Sequence, residues 1–298
     1  MNHVIALPEG KLVCPIDGTP LRPRDGATLA CGTLVCDRRH SFDRSREGYY
    51  NLLVVQHKAS LDPGDSKAMV AARRRVLESG IYAPIADRVT ETVATIARAS
   101  QRERDFCVLD AGCGEGYYLQ QIERRLAAES GLRCNLAGVD ISKWAVQRAA
   151  KRTHGCFWAV ATNRHLPFAA GSIDLIVCMF GFAVWDGFAA VQPPGGHVLM
   201  VDPGPDHLIE LRSIIYPNVR RNEIAPVALA PTRAGYELEE ERRTQFQVEL
   251  YIRAQISDLL TMTPHDHRAP IAGRVVLAQH DTLRVTVDVV LRLMRLRS

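Results

Sequence analysis

An apolar strand that runs into three alternate glycines constrains this chain more than any other part of its sequence. The strand, Phe106–Leu109, is followed by Asp110-Ala111 and then by Gly112, Gly114 and Gly116, with a helical pattern beyond them. Glycine adopts backbone dihedrals that other residues resist, and it lets a ligand come close to the main chain. A dinucleotide-binding loop has the spacing G-x-G-x-x-G. The tighter G-x-G-x-G spacing here predicts a cofactor without a pyrophosphate.

An acidic residue closes the next apolar run. Asp140 follows Ala137-Gly138-Val139 and lies 24 residues beyond Gly116. A carboxylate at that position can accept hydrogen bonds from both hydroxyls of a ribose. A structural tight turn followed by a helix-capping Asp is the alternative for the same residues. Two elements at the right separation are more specific than one loop, so the pair favours a nucleoside-containing cofactor.

Strands and helices alternate from residue 105 onwards, which predicts parallel β-α-β units with helices on both faces of a sheet. The predicted strands are Phe106–Leu109, Leu136–Val139, Phe157–Ala161, Ile173–Met179 and Gly196–Asp202. Two further segments, Thr244–Ile252 and Leu283–Leu293, alternate apolar and polar residues. They predict antiparallel strands at the sheet edge.

The first part of the chain is loop-rich and offers little core, so a structural metal is expected there. Cys14, Cys31, Cys36 and His40 lie within 27 residues. Thiolates and imidazoles are zinc ligands, and Cys36 and His40 have a chelating spacing.

The first turn of this segment departs from the usual C-x2-C pattern. It reads Cys14-Pro15-Ile16-Asp17, so either Asp17 or Cys31 would supply a fourth ligand. A metal-free knuckle with buried cysteines is the alternative.

Three segments are predicted: a zinc-binding module at 1–57, a linker with helices at 58–104, and a catalytic domain at 105–298. Within the second segment, residues 58–66 are expected to be a linker. A helix is expected over 66–79, capped by Ser66 and ended by Gly80, and another over about 84–99.

Net charge is +4, and all of the excess lies near the start of the chain. Residues 1–104 contain 16 Lys and Arg against 12 Asp and Glu, whereas the remainder contains 21 of each. Basic pairs and a triplet there could contact phosphates, or could be an ordinary solvated surface; they are Arg38/Arg39, Arg44/Arg46 and Arg73/Arg74/Arg75. No apolar run is long enough to span a membrane, and no signal-peptide pattern is seen. We therefore expect a cytoplasmic protein with reduced thiols.

The glycine loop, the ribose acid and the β-α-β pattern together resemble the class I S-adenosylmethionine methyltransferases. Residues 40–75, HSFDRSREGYYNLLVVQHKASLDPGDSKAMVAARRR, narrow the resemblance. With Cys14-Pro15 and Cys36-x3-His40, they closely resemble the RlmA (RrmA) family of bacterial 23S rRNA guanine-N1 methyltransferases. This resemblance runs from about Leu12 to Leu211.

The resemblance implies a Rossmann-like α/β fold, with a mostly parallel sheet, an antiparallel C-terminal strand and a small N-terminal zinc-ribbon module. It implies S-adenosylmethionine and structural zinc as cofactors, 23S rRNA as the partner, a homodimer, and no membrane. The implied cofactor-binding residues are Tyr82, Asp110, Gly112, Gly114, Gly116, Tyr118, Leu119, Asp140 and His207. The implied metal ligands are Cys14, Asp17, Cys36 and His40, with Cys31 as the alternative fourth ligand.

No motif selects the catalytic base. Asp202, Asp206 and His207 are candidates, because they follow the fifth predicted strand. Aromatic residues beyond the fourth predicted strand could stack on the target base or belong to the core; they are Phe180, Phe182 and Trp185.

Two other functions fit parts of the pattern. A methyltransferase acting on a small metabolite would have the same catalytic half, but it would leave the chelating cluster and the basic N-terminal third unexplained. A zinc-bearing RNA-binding protein without catalysis would not need the intact glycine loop and Asp140.

Overall fold

The computed structural model describes residues 10–24, 32–57, 63–100, 105–129, 132–219 and 229–297. Its strands are β1 (Arg22–Pro23), β2 (Thr33–Val35), β3 (Ser41–Asp43), β4 (Tyr50–Asn51), β5 (Phe106–Ala111), β6 (Cys134–Asp140), β7 (Phe157–Val160), β8 (Leu175–Met179), β9 (His197–Pro203), β10 (Tyr236–Leu250) and β11 (Leu283–Leu296). Its helices are α1 (Lys67–Glu78), α2 (Ala83–Ala99), α3 (Tyr117–Ala127), α4 (Lys143–Arg152), α5 (Trp185–Val191), α6 (Ile209–Ile215), α7 (Leu229–Arg233), α8 (Arg253–Thr261), α9 (His265–Arg268) and α10 (Ile271–Leu277).

One sheet of eight strands carries the larger part of the fold, in the order β10-β11-β9-β8-β5-β6-β7-β4. Strands β4 to β9 in this sheet pair in parallel, whereas β11 pairs antiparallel with both β9 and β10. The predicted mostly parallel sheet with an antiparallel C-terminal strand is confirmed. The sheet reverses its strand order between β5 and β8, which is where α/β sheets bind ligands.

All seven predicted strands are present, but the prediction for the last two was incomplete. β10 begins at Tyr236, eight residues before the predicted start at Thr244. The missed residues, Glu237–Arg243, are almost all charged and lie mostly exposed, so they lack the apolar alternation that indicates a strand. Of the two C-terminal strands, only β10 lies at the sheet edge, since β11 lies between β9 and β10.

The two faces of the sheet have separate hydrophobic cores. Helices α2, α3 and α4 cover one face, together with α6 and α8 from the C-terminal part. The other face is covered by α5 and by apolar residues of the N-terminal module, among them Leu12, Leu21 and Leu34. The module therefore contributes to the same core as the sheet, although its sequence seemed too loop-rich to do so.

Backbone hydrogen bonds also tie the N-terminal module to the sheet. Its own sheet, β1-β2-β3, is antiparallel, and β4 then adds to the edge of the large sheet beside β7. Leu52 N–H donates to Val160 O at 2.9 Å, and Val13 N–H donates to Pro167 O at 3.1 Å. The Tyr50 ring stacks on a ring of β7, that of Phe157, with centroids 5.8 Å apart.

Helix α1 begins and ends as the sequence predicts. The Ser66 side chain accepts a hydrogen bond from Met69 N–H, and Gly80 follows the helix with φ of 85°. Of the predicted linker before α1, the structure describes Pro63–Ser66, and these four residues are not loose. The Ser142 hydroxyl donates to Asp65 O at 2.7 Å, so this segment is fixed to the start of α4.

Within the ranges that the structure describes, none of the helices combines the length and the apolar character needed to cross a lipid bilayer.

The turn after β5 rests on one tryptophan. Trp158 is 1% exposed, and its indole N–H donates to Thr153 O at 3.1 Å. A Cβ on Gly138 would lie 2.2 Å from the ring, and a Cβ on Gly116 would lie 2.9 Å from it. Both positions therefore require glycine, and Gly116 also requires it for its φ of 83°.

We expect Gly138→Ala to lower the free energy of unfolding by about 1–3 kcal/mol, because the added methyl overpacks a core that cannot move aside. Chemical denaturation would measure the loss. In a Trp158→Leu background the same substitution should cost less, since the colliding ring atoms are gone. An equal cost in the two backgrounds would show that the Trp158 contact is not the cause.

Candidate functional site

The glycine loop joins β5 to α3 at the carboxyl end of the sheet. Gly112, Gly114 and Gly116 all have positive φ, at 90°, 55° and 83°. Gly112 N–H donates to Val139 O at 2.9 Å, so the loop bends over the end of β6. The first-turn N–H groups of α3, including that of Leu119, have no carbonyl to bond within the helix. The loop thus offers backbone donors beside Asp110 and Asp140, a region we refer to as the crevice, whereas the Leu119 side chain is buried in the core.

Asp140 lies at the end of β6, beside this loop. Its Oδ2 accepts from Gly114 N–H at 2.9 Å, and its Oδ1 accepts from Ser142 N–H at 2.7 Å. Burial raises the pKa of Asp140, and the two backbone N–H groups oppose that rise. The carboxylate is therefore held in a fixed orientation by the main chain, with acceptor capacity remaining on each oxygen.

Asp110 has a different environment at the end of β5. It is 1% exposed, and neither of its carboxylate oxygens has a hydrogen-bond partner among the described residues. Burial, with a smaller effect of Asp140, raises the pKa of Asp110 to about 8. The buried Tyr118 hydroxyl also has no partner among the described residues. Buried polar groups are normally paired, so these two groups fit a polar, cationic ligand in the crevice.

Three aromatic rings form another wall beside the loop. The Tyr82 and Phe180 centroids lie 6.1 Å apart, and the Phe180 and His207 centroids lie 5.7 Å apart. The Tyr82 hydroxyl lies 3.4 Å from His207 Nε2. The sequence places these residues far apart, and the fold brings all three together.

His207 is neutral and has a fixed tautomer. Asp288 N–H donates to its Nδ1 at 3.2 Å, so the ring proton is on Nε2 and faces Tyr82. Burial lowers the pKa of His207 to about 4. With one nitrogen occupied and the other protonated, His207 cannot accept a proton from a substrate. This removes one of the three candidate bases.

The loop that carries His207 is held by an ion pair that the sequence did not reveal. Asp288, in β11, is fully buried and accepts from Arg243 Nε at 2.8 Å and Nη2 at 2.9 Å. It also accepts from Asp206 N–H at 2.9 Å. Asp202, at the end of β9, is only half-buried; burial raises its pKa, and Arg292 at 3.5 Å opposes that rise.

The aromatic residues after β8 divide into two groups. Phe182 is 91% exposed, and Phe180 has φ of 53°, which is unusual for a residue other than glycine. Strained residues of this kind cluster at binding sites. Trp185 instead packs against Tyr236, with centroids 5.2 Å apart, and belongs to the core.

The chelating residues of the N-terminal module converge. One ligand atom from each of Cys14, Asp17, Cys36 and His40 lies within 4.8 Å of the others. Both Sγ atoms are close to His40 Nδ1, at 3.5 Å from Cys14 and 3.4 Å from Cys36. Tetrahedral zinc, with Zn–S of ~2.3 Å and Zn–N of ~2.0–2.1 Å, requires a separation of roughly 3.6 Å between these atoms. The donor set therefore fits zinc, and Cys31 lies outside the described residues.

Asp17 occupies the position at which the C-x2-C pattern has its second cysteine. Its Oδ1 accepts from the Thr19 hydroxyl at 2.6 Å and from Thr19 N–H at 2.9 Å, which lowers the pKa of Asp17. Its Oδ2 is left to face the cluster, 3.0 Å from His40 Nδ1. Asp17 thus presents an ionised and oriented carboxylate oxygen to the cluster.

Each arginine of the basic triplet of α1 pairs with a carboxylate of the protein. Arg74 pairs with Glu78 at 2.8 Å, and Arg75 pairs with Asp258 at 2.6 Å. Arg73 pairs with Asp65 and lies over the glycine loop. Arg38, Arg39 and Arg46 of the module are exposed.

Comparison with known proteins agrees with both parts of the structure. Residues 12–61 match the family model described as RlmA, N-terminal, and residues 108–192 match a model described as methyltransferase domain. A Streptomyces fradiae protein named 23S rRNA (guanine(748)-N(1))-methyltransferase is 36% identical over 201 residues, which are 67% of this chain and 66% of that protein.

Two further relatives are named, provisionally, for 23S rRNA guanine-N1 methylation. The Micromonospora griseorubida protein is 32% identical over 210 residues, covering 67% of this chain and 68% of its own length. The Bacillus subtilis protein YxjB is 28% identical over 278 residues, which are 93% of this chain and 94% of that protein. The chain therefore belongs to the RlmA family of S-adenosylmethionine-dependent methyltransferases, the family of these 23S rRNA (guanine-N1)-methyltransferases.

Proposed function

We propose that this protein transfers the methyl group of S-adenosylmethionine to N1 of a guanine in a 23S rRNA hairpin near the peptide exit tunnel. One observation carries the proposal: an RlmA-type chelating module and a nucleoside-binding crevice share one core in the same chain. A methyltransferase acting on a small metabolite would not require the chelating module. An RNA-binding protein without catalysis would not require Asp110, which is buried without a hydrogen-bond partner among the described residues.

The proposed cofactor contacts follow from the chemistry of the crevice. Asp140 accepts hydrogen bonds from the ribose hydroxyls, since its carboxylate is already oriented by Gly114 and Ser142. Asp110 pairs with the ammonium group of the methionine part, which resolves the cost of its burial. Tyr82, Tyr118 and His207 line the same crevice, and His207 orients the Tyr82 hydroxyl.

When bound, S-adenosylmethionine supplies a methyl group on a sulfonium, which is already electrophilic. The chain must then hold the guanine in line with that carbon and accept the proton of N1. His207 is unsuited to accept it, so Asp202 and Asp206, at and after the end of β9, remain the candidate acceptors. Burial raises the pKa of Asp202, which favours proton acceptance by that carboxylate.

Guanine N1 lies on the Watson–Crick edge, so the base must come from a loop or be flipped out of a helix. Phe182, exposed beside the crevice, provides a flat apolar surface for such a base. Arg38, Arg39 and Arg46, exposed near the chelating cluster, provide cations for the RNA backbone.

The remaining parts of the proposal rest on the family resemblance. The module at 1–57 holds structural zinc and contacts RNA, 58–104 connects it to the catalytic domain at 105–298, and the enzyme acts as a homodimer. A ribosomal RNA substrate implies a cytoplasmic enzyme.

The function is tested by reverse transcription of 23S rRNA from cells with and without the gene. N1-methylguanine blocks base pairing, so we expect a gene-dependent stop one nucleotide before the target. Complementation with Asp140→Ala should restore the stop poorly. Identical stop patterns with and without the gene would contradict the proposed substrate.

Binding of S-adenosylmethionine should release a proton at neutral pH. With a pKa of about 8, Asp110 is mostly protonated at pH 7, and an ammonium partner favours its carboxylate. Affinity should therefore rise from about pH 6 to about pH 7.5, the range below this pKa. Calorimetry in buffers of different ionisation enthalpy would count the proton, and Asp110→Asn should abolish its release. A wild-type protein that exchanges no proton would exclude the assigned role of Asp110.

Purified protein should contain about one zinc ion per chain, as a tetrahedral site requires. Mass spectrometry of the metal content should show a strong loss in Cys36→Ser and none in Asp37→Asn, a matched control on the exposed neighbour. Zinc near zero in a normally folded wild-type protein would show that Asp17 does not complete the site.

A further inference from the structure

Arg73 is a cation at the cofactor crevice that the family pattern does not assign. It projects from α1, and a methyl group placed on Gly114 would lie 3.6 Å from its Nη1. Its positive charge lowers the pKa values of Tyr82, Tyr118 and Asp140, although burial raises each of them by more. The guanidinium therefore lies near both the acid and the tyrosines that surround the loop.

The partners of Arg73 leave part of its donor capacity available. Nη1 pairs with Asp65, and Nη2 donates to Met262 O at 3.2 Å. A guanidinium has five N–H donors, so three N–H groups have no partner among the described residues. Such a group is well suited to bind a carboxylate through two parallel hydrogen bonds.

The other arginine beside the loop, Arg152, uses four of its five N–H donors within the protein. Arg152 pairs with buried Glu115 and with Glu78, donates to Glu115 O at 3.1 Å, and donates to Gln120 Oε1 at 3.3 Å. It holds Glu115, in the glycine loop. Of these two arginines, Arg73 therefore has more N–H donors without a partner among the described residues.

The methionine part of the proposed cofactor has one charged group without an assigned partner. The cofactor's ribose is assigned to Asp140 and its ammonium group to Asp110, but its methionine part also carries a carboxylate. Resting on the proposed function, we propose that Arg73 binds this carboxylate. Asp65 then acts as a positioning residue that holds the guanidinium over Gly114.

The segment before α1 is fixed in place, as a positioning role for Asp65 requires. Asp65 lies between two anchors, since its carbonyl accepts from Ser142 Oγ and its carboxylate pairs with Arg73. A Cβ on Gly64 would lie 2.9 Å from Ile141 and Ser142, so the segment packs directly beside Asp140. The groups proposed for the ribose and the carboxylate are thus connected by four consecutive residues, Pro63–Ser66.

Two ligands that differ in the amino-acid part test the proposal. S-adenosylhomocysteine and 5′-methylthioadenosine share the adenosine and the thioether, but only the former carries the carboxylate and the ammonium group. By calorimetry, Arg73→Gln should weaken S-adenosylhomocysteine binding by about 10- to 100-fold, the scale of charge-assisted hydrogen bonds. Its binding of 5′-methylthioadenosine should stay within about twofold of wild type.

Matched variants separate binding from folding. Arg74→Gln, on the exposed neighbour paired with Glu78, should change neither affinity. Asp140→Ala should weaken both ligands, because both carry the ribose. If Arg73→Gln does not fold, Arg73→Lys keeps the charge without the two-pronged geometry and should still weaken only S-adenosylhomocysteine.

Different results would contradict the role of Arg73 and the proposed function. Equal weakening of both ligands in the Arg73 variants would show a structural role and overturn the inference, as would unchanged binding of both. Failure of wild-type protein to bind S-adenosylhomocysteine would instead count against the proposed function.

Discussion

The packing of Trp158 against two glycines is the contact on which the crevice depends. The indole lies under the turn after β5, where Gly116 and Gly138 leave room for it and no other residue would. This lets the glycine loop sit low over β6, so that Gly114 N–H reaches the Asp140 carboxylate at 2.9 Å. The position of the loop therefore depends on this packing. A protein interior is packed as densely as an organic crystal, so a shift of one methyl group is transmitted to its neighbours.

Two carboxylates at neighbouring strand ends have different environments and hence different chemistry. Backbone N–H groups hold Asp140 in place, whereas Asp110 is buried without a hydrogen-bond partner among the described residues, and its pKa rises to about 8. The first arrangement suits a neutral sugar, and the second suits a cation that arrives with the ligand. Burial has the opposite effect on His207, a base, because it lowers the pKa of the ring to about 4 and so favours the neutral form.

The N-terminal module is built into the catalytic core rather than attached to it. β4 extends the large sheet, Tyr50 stacks on Phe157, and apolar residues of the module cover one face of the sheet. A rigid connection of this kind fixes the distance between the chelating cluster and the crevice. In the proposed function, an RNA held by the module would present its guanine at a defined position.

The sequence by itself determined the parallel strands, the glycine loop, Asp140 and the chelating residues, because periodicity and short-range spacing encode local structure. It did not reveal the start of β10, whose charged residues carry no alternating pattern. It also did not indicate that Arg73, one of three consecutive arginines, would lie beside Gly114. Only the tertiary structure paired Arg73 with Asp65, placed Asp288 against His207 and turned Asp17 toward the cluster. Those contacts join residues from different elements, and the energy of burying a charge depends on neighbours that no local pattern specifies.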